Sequence, residues 1–258
     1  MSELRGIVQG DIRIFDIPPA VADDMRSEFI FENQKFHMLK RHGYSTAGVP
    51  EHIVSLAERS DGSMMFLRGT VNIVPGVLKE HGLTVRFEDH RSDGKRLHVP
   101  RSILARARHY QLDAVEALVN SVQGFVDICM GGGKTILACC AAERLQTSTI
   151  SLVHTSDLRA QWHDAIAEKM GINAGTVGGG GKPRWSDQIT IAMIQSLVEL
   201  PPDDPHLAMF GLCVVDECHH VPASTFNAVL RAIPARWRLG LSATPEQRDD
   251  GLGPLVGW

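Results

Sequence analysis

The sequence predicts an α/β protein: residues 100–258 form a layered domain around a central, mainly parallel sheet, and residues 1–99 form a small α+β domain ahead of it. Two observations carry this. From about residue 108 onward, short apolar runs of strand length alternate with stretches of helical periodicity, which is how a parallel sheet covered by helices on both faces is written. Before residue 100 the pattern is less regular, and its strand-like runs alternate apolar with polar, as half-exposed strands do.

In chain order, Gly10-Asp11-Ile12-Arg13-Ile14 and Leu83-Thr84-Val85-Arg86-Phe87 read as half-exposed strands, with helical stretches expected near 19–30, 50–59 and 70–80. Asp93-Gly94 is a turn suited to a hairpin, and the junction between domains is expected near Val99-Pro100. Val115, Leu118, Val119 and Val122 then form the apolar stripe of an amphipathic helix. Phe125–Met130 reads as a short buried strand, followed by a glycine turn and a helix rich in Ala, Leu and Ile. Thr149–Val153 is the next strand and Leu158–Met170 the next helix; Ile189–Met193, Leu212–Val215 and Arg238–Leu241 are further strands. Gly178–Gly181, followed by Lys182-Pro183-Arg184, reads first as a loop by composition. A backbone approach to phosphate is the second reading.

Composition excludes more than it selects. The chain has 258 residues, 43% of them hydrophobic and 22% charged, ordinary values for a globular chain and not for a disordered one. The longest apolar runs are only a few residues, too short to cross a membrane. The start, Met1-Ser2-Glu3-Leu4-Arg5, lacks a secretory pattern. Five cysteines without a C-x-x-C spacing argue for a reduced, cytosolic chain with neither disulfide frame nor zinc ribbon. With 26 basic and 30 acidic residues the net charge is −4, so charge alone neither announces nor excludes a nucleic-acid partner.

Chemistry concentrates in two segments. Met130-Gly131-Gly132-Gly133-Lys134-Thr135 stands after a strand and opens a helix. Glycines let successive backbone N–H groups turn around a phosphate chain, and the helix N-terminus adds partial positive charge. Lys134 is placed to reach the β- and γ-phosphates and Thr135 to hold Mg²⁺. The full phosphate-loop pattern would need glycine where Ile128 stands, and glycine turns ending in Lys-Thr also arise as plain helix caps. The second segment is Leu212-Cys213-Val214-Val215 running into Asp216-Glu217-Cys218-His219. Carboxylates at the carboxyl end of a buried strand lie beside the phosphate loop in a doubly wound sheet. There Asp216 would hold Mg²⁺, and Glu217 would orient and deprotonate an attacking water. His219 and His220 beside Cys218 could be misread as a metal cluster, but adjacent residues point apart. Cys139 and Cys140 are most simply core packing.

These segments, with others in the same order, resemble the superfamily II DNA/RNA helicases and translocases over about residues 106–253. Arg108-His109-Tyr110-Gln111 resembles the Q-motif, and Met130–Thr135 resembles motif I, for which this superfamily does not require the first glycine. Leu152-Val153-His154-Thr155-Ser156-Asp157-Leu158, continuing to Gln161-Trp162, resembles motif Ia. Ile191–Leu197 resembles the next nucleic-acid motif and Asp216–His219 a DExH-type motif II. Leu239-Gly240-Leu241-Ser242-Ala243-Thr244-Pro245, with Arg248 and Asp250-Gly251, is similar to motif III and its flank. Histidine in motif II, Arg-x-Tyr-Gln and the Arg-Asp-Asp-Gly continuation are nearer the XPB-like and type III restriction Res-subunit branch than the DEAD-box RNA helicases. Residues 31–98 also resemble the N-terminal region of some phage and bacterial members, through Phe66-Leu67-Arg68-Gly69 and Asp89-His90-Arg91.

The resemblance implies a RecA-like P-loop NTPase lobe that uses ATP and Mg²⁺ to act on DNA, with RNA left open. By it, Arg108, Tyr110 and Gln111 form the adenine pocket; Gly131, Gly132, Gly133, Lys134 and Thr135 hold the phosphates; and Asp216, Glu217 and Lys134 carry the catalysis. His219 would face the γ-phosphate or motif III. Thr155, Gln195 and Ser196 would grip a phosphate backbone, although at Thr155 a plain helix cap remains the alternative. Ser242 and Thr244 would link the ATP site to the nucleic-acid face. The expected partners are DNA and a second RecA-like lobe, supplied by a longer chain or in trans, so that this chain alone binds ATP–Mg²⁺ weakly and turns over slowly. The expected setting is cytoplasmic, bacterial or phage-type and nucleoid-associated. An ATP-dependent DNA helicase or translocase leads. The translocating subunit of a restriction or defence complex, or a non-catalytic ATP- and DNA-binding module, are the alternatives. The N-terminal domain is a candidate duplex-gripping or partner-docking module.

Overall fold

The computed structural model describes residues 2–54, 56–71, 73–129, 131–217 and 223–243. Their contacts divide them into two compact units, 2–90 and 91–243. The division falls ahead of the Val99-Pro100 junction, because the intervening segment is stitched into the second unit. Ser92 N–H donates to the Pro234 carbonyl at 2.7 Å, Leu97 N–H to Gln146 at 3.0 Å, and Ser148 N–H to Lys95 at 2.7 Å. For the same reason Asp93-Gly94 makes no hairpin.

In the first unit, β1 (Ser2–Val8) pairs in parallel with β7 (Leu83–Asp89) and antiparallel with β2 (Ile12–Ile14). Strands β6 (Met64–Phe66) and β5 (Leu56–Glu58) extend the sheet in the order β5-β6-β2-β1-β7. Helix α1 (Pro19–Glu28) starts on a proline, which suits a first helical turn, and buries Val21, Ala22 and Met25. Helix α3 (Val74–Glu80) buries Val74, Val77 and Leu78. Their core includes Ile12, Ile14 and a Phe29–Phe66 ring contact at 4.9 Å.

Between α1 and β5 lie β3 (Ile30–Glu32), α2 (Gln34–Arg41) and β4 (His52–Val54), with β3 and β4 paired antiparallel. The helix expected near 50–59 is thus replaced by the two short strands β4 and β5. The apolar spacing of Ile53, Val54, Leu56 and Ala57 fits a helical stripe, but pairing with β3 and β6 decides the outcome, as tertiary context often does. The hairpin forms at Asp61-Gly62 instead: Arg59 N–H donates to the Ser63 carbonyl at 2.9 Å, and Asp61 accepts from Ser63 N–H at 3.1 Å.

The second unit is a six-stranded, wholly parallel sheet. Its strands are β8 (Gln123–Asp127), β9 (Thr149–Val153), β10 (Gly175–Val177), β11 (Ile189–Met193), β12 (Leu212–Asp216) and β13 (Trp237–Ser242), in the order β10-β11-β9-β12-β13-β8. Helices α4 (His109–Ser121), α5 (Lys134–Leu145), α6 (Ser156–Met170), α7 (Ile194–Val198) and α8 (Ala223–Ala232) connect or flank them. All of β9 and β12 is buried, as parallel strands covered on both faces must be. Cys139 and Cys140 lie in this core, where burial pushes their thiols up to about 12 and about 11, so they pack as neutral groups. The α/β class and the mainly parallel sheet read from the sequence are both present. Of the described residues, no helix is long and apolar enough to cross a membrane.

Candidate functional site

Because every strand of the second sheet runs the same way, all carboxyl ends open on one edge, where ligands bind in open α/β sheets. The ends are level: Met193 pairs with Val153, Leu241 with Asp216, and Ser242 with Asp127. The described residues singled out in the sequence therefore lie on or just beyond this edge, or on α4 packed against it.

The glycine turn follows β8. Ile128 N–H donates to the Ser242 carbonyl and Gly132 N–H to the Cys129 carbonyl, both at 2.9 Å. Two glycines here have specific reasons. A Cβ on Gly132 would lie 2.6 Å from Ile128 Cγ1. Gly133 has φ +83°, and a Cβ there would lie 2.7 Å from Gln111 Nε2. Helix α5 then begins at Lys134 with no side-chain cap, leaving backbone donors of its first turn open.

Arg108, Tyr110 and Gln111 brace that turn. Gln111 is buried; its Nε2 donates to the Gly132 and Gly133 carbonyls at 3.2 and 3.3 Å, and its Oε1 accepts from Arg108 N–H at 2.9 Å. The Tyr110 hydroxyl donates to the Gly132 carbonyl and accepts from the Arg108 guanidinium. The Gln111 amide is thus engaged with the loop itself.

Across the edge, Lys134 Nζ forms an ion pair with Glu217 and lies 4.0 Å from Asp216 Oδ1. Asp216 is 3% exposed. Trp162 Nε1 donates to its Oδ2 at 2.8 Å, while Oδ1 has no hydrogen-bond partner among the described residues. Burial pushes the Asp216 carboxyl above the ordinary carboxylate value, opposed by the Trp162 hydrogen bond and the Lys134 charge. Glu217 follows with φ +49°, a left-handed turn unusual for a non-glycine residue, and its N–H donates to the Leu241 carbonyl at 2.9 Å. Thr135 lies on the first turn of α5, partly exposed.

The other residues occupy the same edge. Thr155 caps α6, its Oγ1 accepting from Leu158 N–H at 3.2 Å. Gln195 Nε2 donates to the His154 carbonyl at 3.2 Å. Ser196 Oγ lies 2.5 Å from where a Cβ on Gly178 would stand. Ser242 is fully buried at the end of β13. His219 and Thr244, and with them Met130, Cys218, Pro245, Arg248, Asp250 and Gly251, lie outside the described residues. Besides the bonds from Gln111 to the glycine turn, two contacts escaped the sequence reading. One is Trp162 on Asp216, where helical spacing shows only that the ring faces inward. The other is Arg159, whose guanidinium donates to the Gly178 carbonyl and holds the start of the four-glycine segment.

Residues 104–247 match the model of the family described as type III restriction enzyme, res subunit. The chain belongs to this family. It is 31% identical over 157 residues to the DNA 3'-5' translocase XPB2 of Sulfurisphaera tokodaii, covering 58% of this chain and 35% of that protein. It is 31% identical over 155 residues to the DNA 3'-5' helicase XPB of Kineococcus radiotolerans, covering 57% and 28%. The chain thus spans about a third of the length of the curated relatives it matches. In structure it is similar to the UvsW helicase of bacteriophage T4, with a TM-score of 0.69, 16% identity, and coverage of 100% of this chain and 98% of that one. That likeness establishes the fold.

Proposed function

We propose that this chain is the ATP-binding portion of an ATP-dependent DNA helicase or translocase, with its phosphate site at the turn from Gly131 to Thr135. The observation that carries the reading is the convergence of Lys134, Asp216 and Glu217 at the carboxyl edge, beside a glycine turn whose helix has no side-chain cap. The relatives' activity on DNA supports the substrate class.

The chemistry follows from the groups in place. A triphosphate at the first turn of α5 meets backbone N–H donors and the Lys134 ammonium. For Lys134 to reach it, the ion pair with Glu217 must open, so phosphate arrival releases the Glu217 carboxylate to orient and deprotonate water. Mg²⁺ fits the donors: the Thr135 hydroxyl and the Asp216 carboxylate are hard oxygens, and Asp216 Oδ1 is buried without a hydrogen-bond partner among the described residues. When bound, the cation neutralises charge on the transferring phosphoryl group. Two arginines at the start of β13, away from the carboxyl edge, are committed elsewhere. Arg236 pairs with Asp93, and Arg238 donates to the Leu230 and Ile233 carbonyls at 2.6 and 3.2 Å. Neither of these two is therefore available to the γ-phosphate; an arginine supplied by a second lobe would act there, and turnover without it would be slow. Thr155, Gln195 and Ser196 form the proposed grip on a nucleic-acid backbone at the same edge.

The deciding experiment is ATP binding, with hydrolysis read beside it, by the 258-residue chain with and without single- and double-stranded DNA, in parallel with Lys134→Ala. ATP binding that Lys134→Ala removes supports the reading; equal binding by both proteins overturns it. The res-subunit family match supports one second reading, the translocating subunit of a restriction complex, which would move duplex DNA without unwinding it. Triplex displacement without strand displacement would select it.

A further inference from the structure

The hydrogen bond between Trp162 and Asp216 joins residues far apart in sequence, and both are almost fully buried, at 2% and 3% exposure. An indole N–H can only donate, so it accepts no alternative role in this contact. It occupies Oδ2 at 2.8 Å and leaves Oδ1, without a hydrogen-bond partner among the described residues, 4.0 Å from Lys134. A carboxylate at a strand end could otherwise turn about its last torsion and exchange its two oxygens. The donor is itself held. Trp162 lies on the buried face of α6 with Ile166 and Met170, and the helix is anchored at its start by the Thr155 cap and by Arg159 on the Gly178 carbonyl.

We propose that Trp162 is a positioning residue for the metal site: its indole N–H fixes the Asp216 carboxylate so that Oδ1 alone faces the phosphate loop and the Mg²⁺ held there. The inference rests on the phosphate-site reading above. It separates two roles for one ring. Packing in the core needs the aromatic surface, which Trp162→Phe largely keeps; orienting the carboxylate needs the N–H, which Trp162→Phe deletes.

The test uses Mn²⁺ as the probe, its affinity read by electron paramagnetic resonance in the presence of ADP. A fluorescent ADP analogue reports nucleotide affinity in EDTA. Trp162→Phe is expected to weaken Mn²⁺ binding about tenfold or more, the scale on which removing a partner of a metal ligand acts. ADP affinity in EDTA is expected to stay unchanged, and Ile166→Val, in the same core, to alter neither. Mn²⁺ affinity equal to that of the unaltered chain overturns the proposal. So does a parallel loss of ADP affinity in EDTA, which marks general loosening. If the unaltered chain binds no Mn²⁺ with ADP, the phosphate-site reading fails and this proposal with it. Normal binding with an indifferent Trp162→Phe sinks the proposal alone. Should Trp162→Phe not fold, the four tryptophan indole N–H signals of the unaltered chain decide, assigned with Trp185→Phe, Trp237→Phe and Trp258→Phe. Mn²⁺–ADP must broaden the Trp162 signal before those of Trp185 and Trp237. Equal or absent broadening overturns the assignment.

Discussion

Helices α5 and α6 both begin at the same sheet edge, one strand order apart in the chain, and they begin in opposite ways. At α5 the residue before the helix is Gly133 in a left-handed conformation, with no side-chain cap and no acid in the first turn. At α6 Thr155 caps Leu158 N–H, and Asp157 stands in the first turn. The macrodipole of α6 is already answered by its own side chains, whereas that of α5 is left for something else to answer. Of these two helix starts, that of α5 is the one left ready for an anion, and it faces Asp216 and Glu217 across Lys134.

The comparison can be broken most forcefully at Lys134. Lys134→Ala should lower ATP turnover by about 10²–10³ or more, the scale of removing one charge-stabilising donor, measured by phosphate release. Asp216→Asn should also remove turnover, yet raise the thermal midpoint by about 2–5 °C, because a charge buried at 3% exposure becomes a neutral amide that still accepts from Trp162. A lowered midpoint would mean that the charge stabilises the fold. Gly133→Ala should cost about 1–2 kcal/mol for the left-handed backbone alone, with more for the encounter with Gln111, read by urea unfolding. Thr155→Ala should cost about 1 kcal/mol, the usual worth of such a cap, and leave nucleotide affinity untouched. Thr155→Ala should also weaken DNA binding, the hydroxyl serving both helix and ligand; unchanged DNA affinity would remove Thr155 from the proposed grip and leave it a cap alone.

The two units were not equally legible. In the second, strands such as β9 and β12 are continuous apolar runs, and the glycine turn and the acids after β12 mark the edge by composition alone. What the sequence withheld there was contact detail. Periodicity turns Trp162 inward but does not name the oxygen it meets, and nothing local links Gln111 to the glycine carbonyls. Strand β10 and helix α8 also went unread. Strand β10 is only three residues long, too short to display a period. In the first unit this difficulty is general, since β2 to β6 are three-residue strands whose identity lies in their partners. Of two Asp-Gly pairs, the one at 61–62 turns a hairpin and the one at 93–94 does not, because the chain around it bonds to residues 146–148 and 234–236.

The bond from Ile128 N–H to the Ser242 carbonyl joins the root of the glycine turn to the end of β13 through main chain only. Its wording does not depend on either side chain. Any residue except proline at 128 supplies the donor, and every residue at 242 supplies the acceptor. This one rung holds the turn in step with its neighbour whatever side chains stand at its two ends, which gives the site an anchor that substitution hardly reaches.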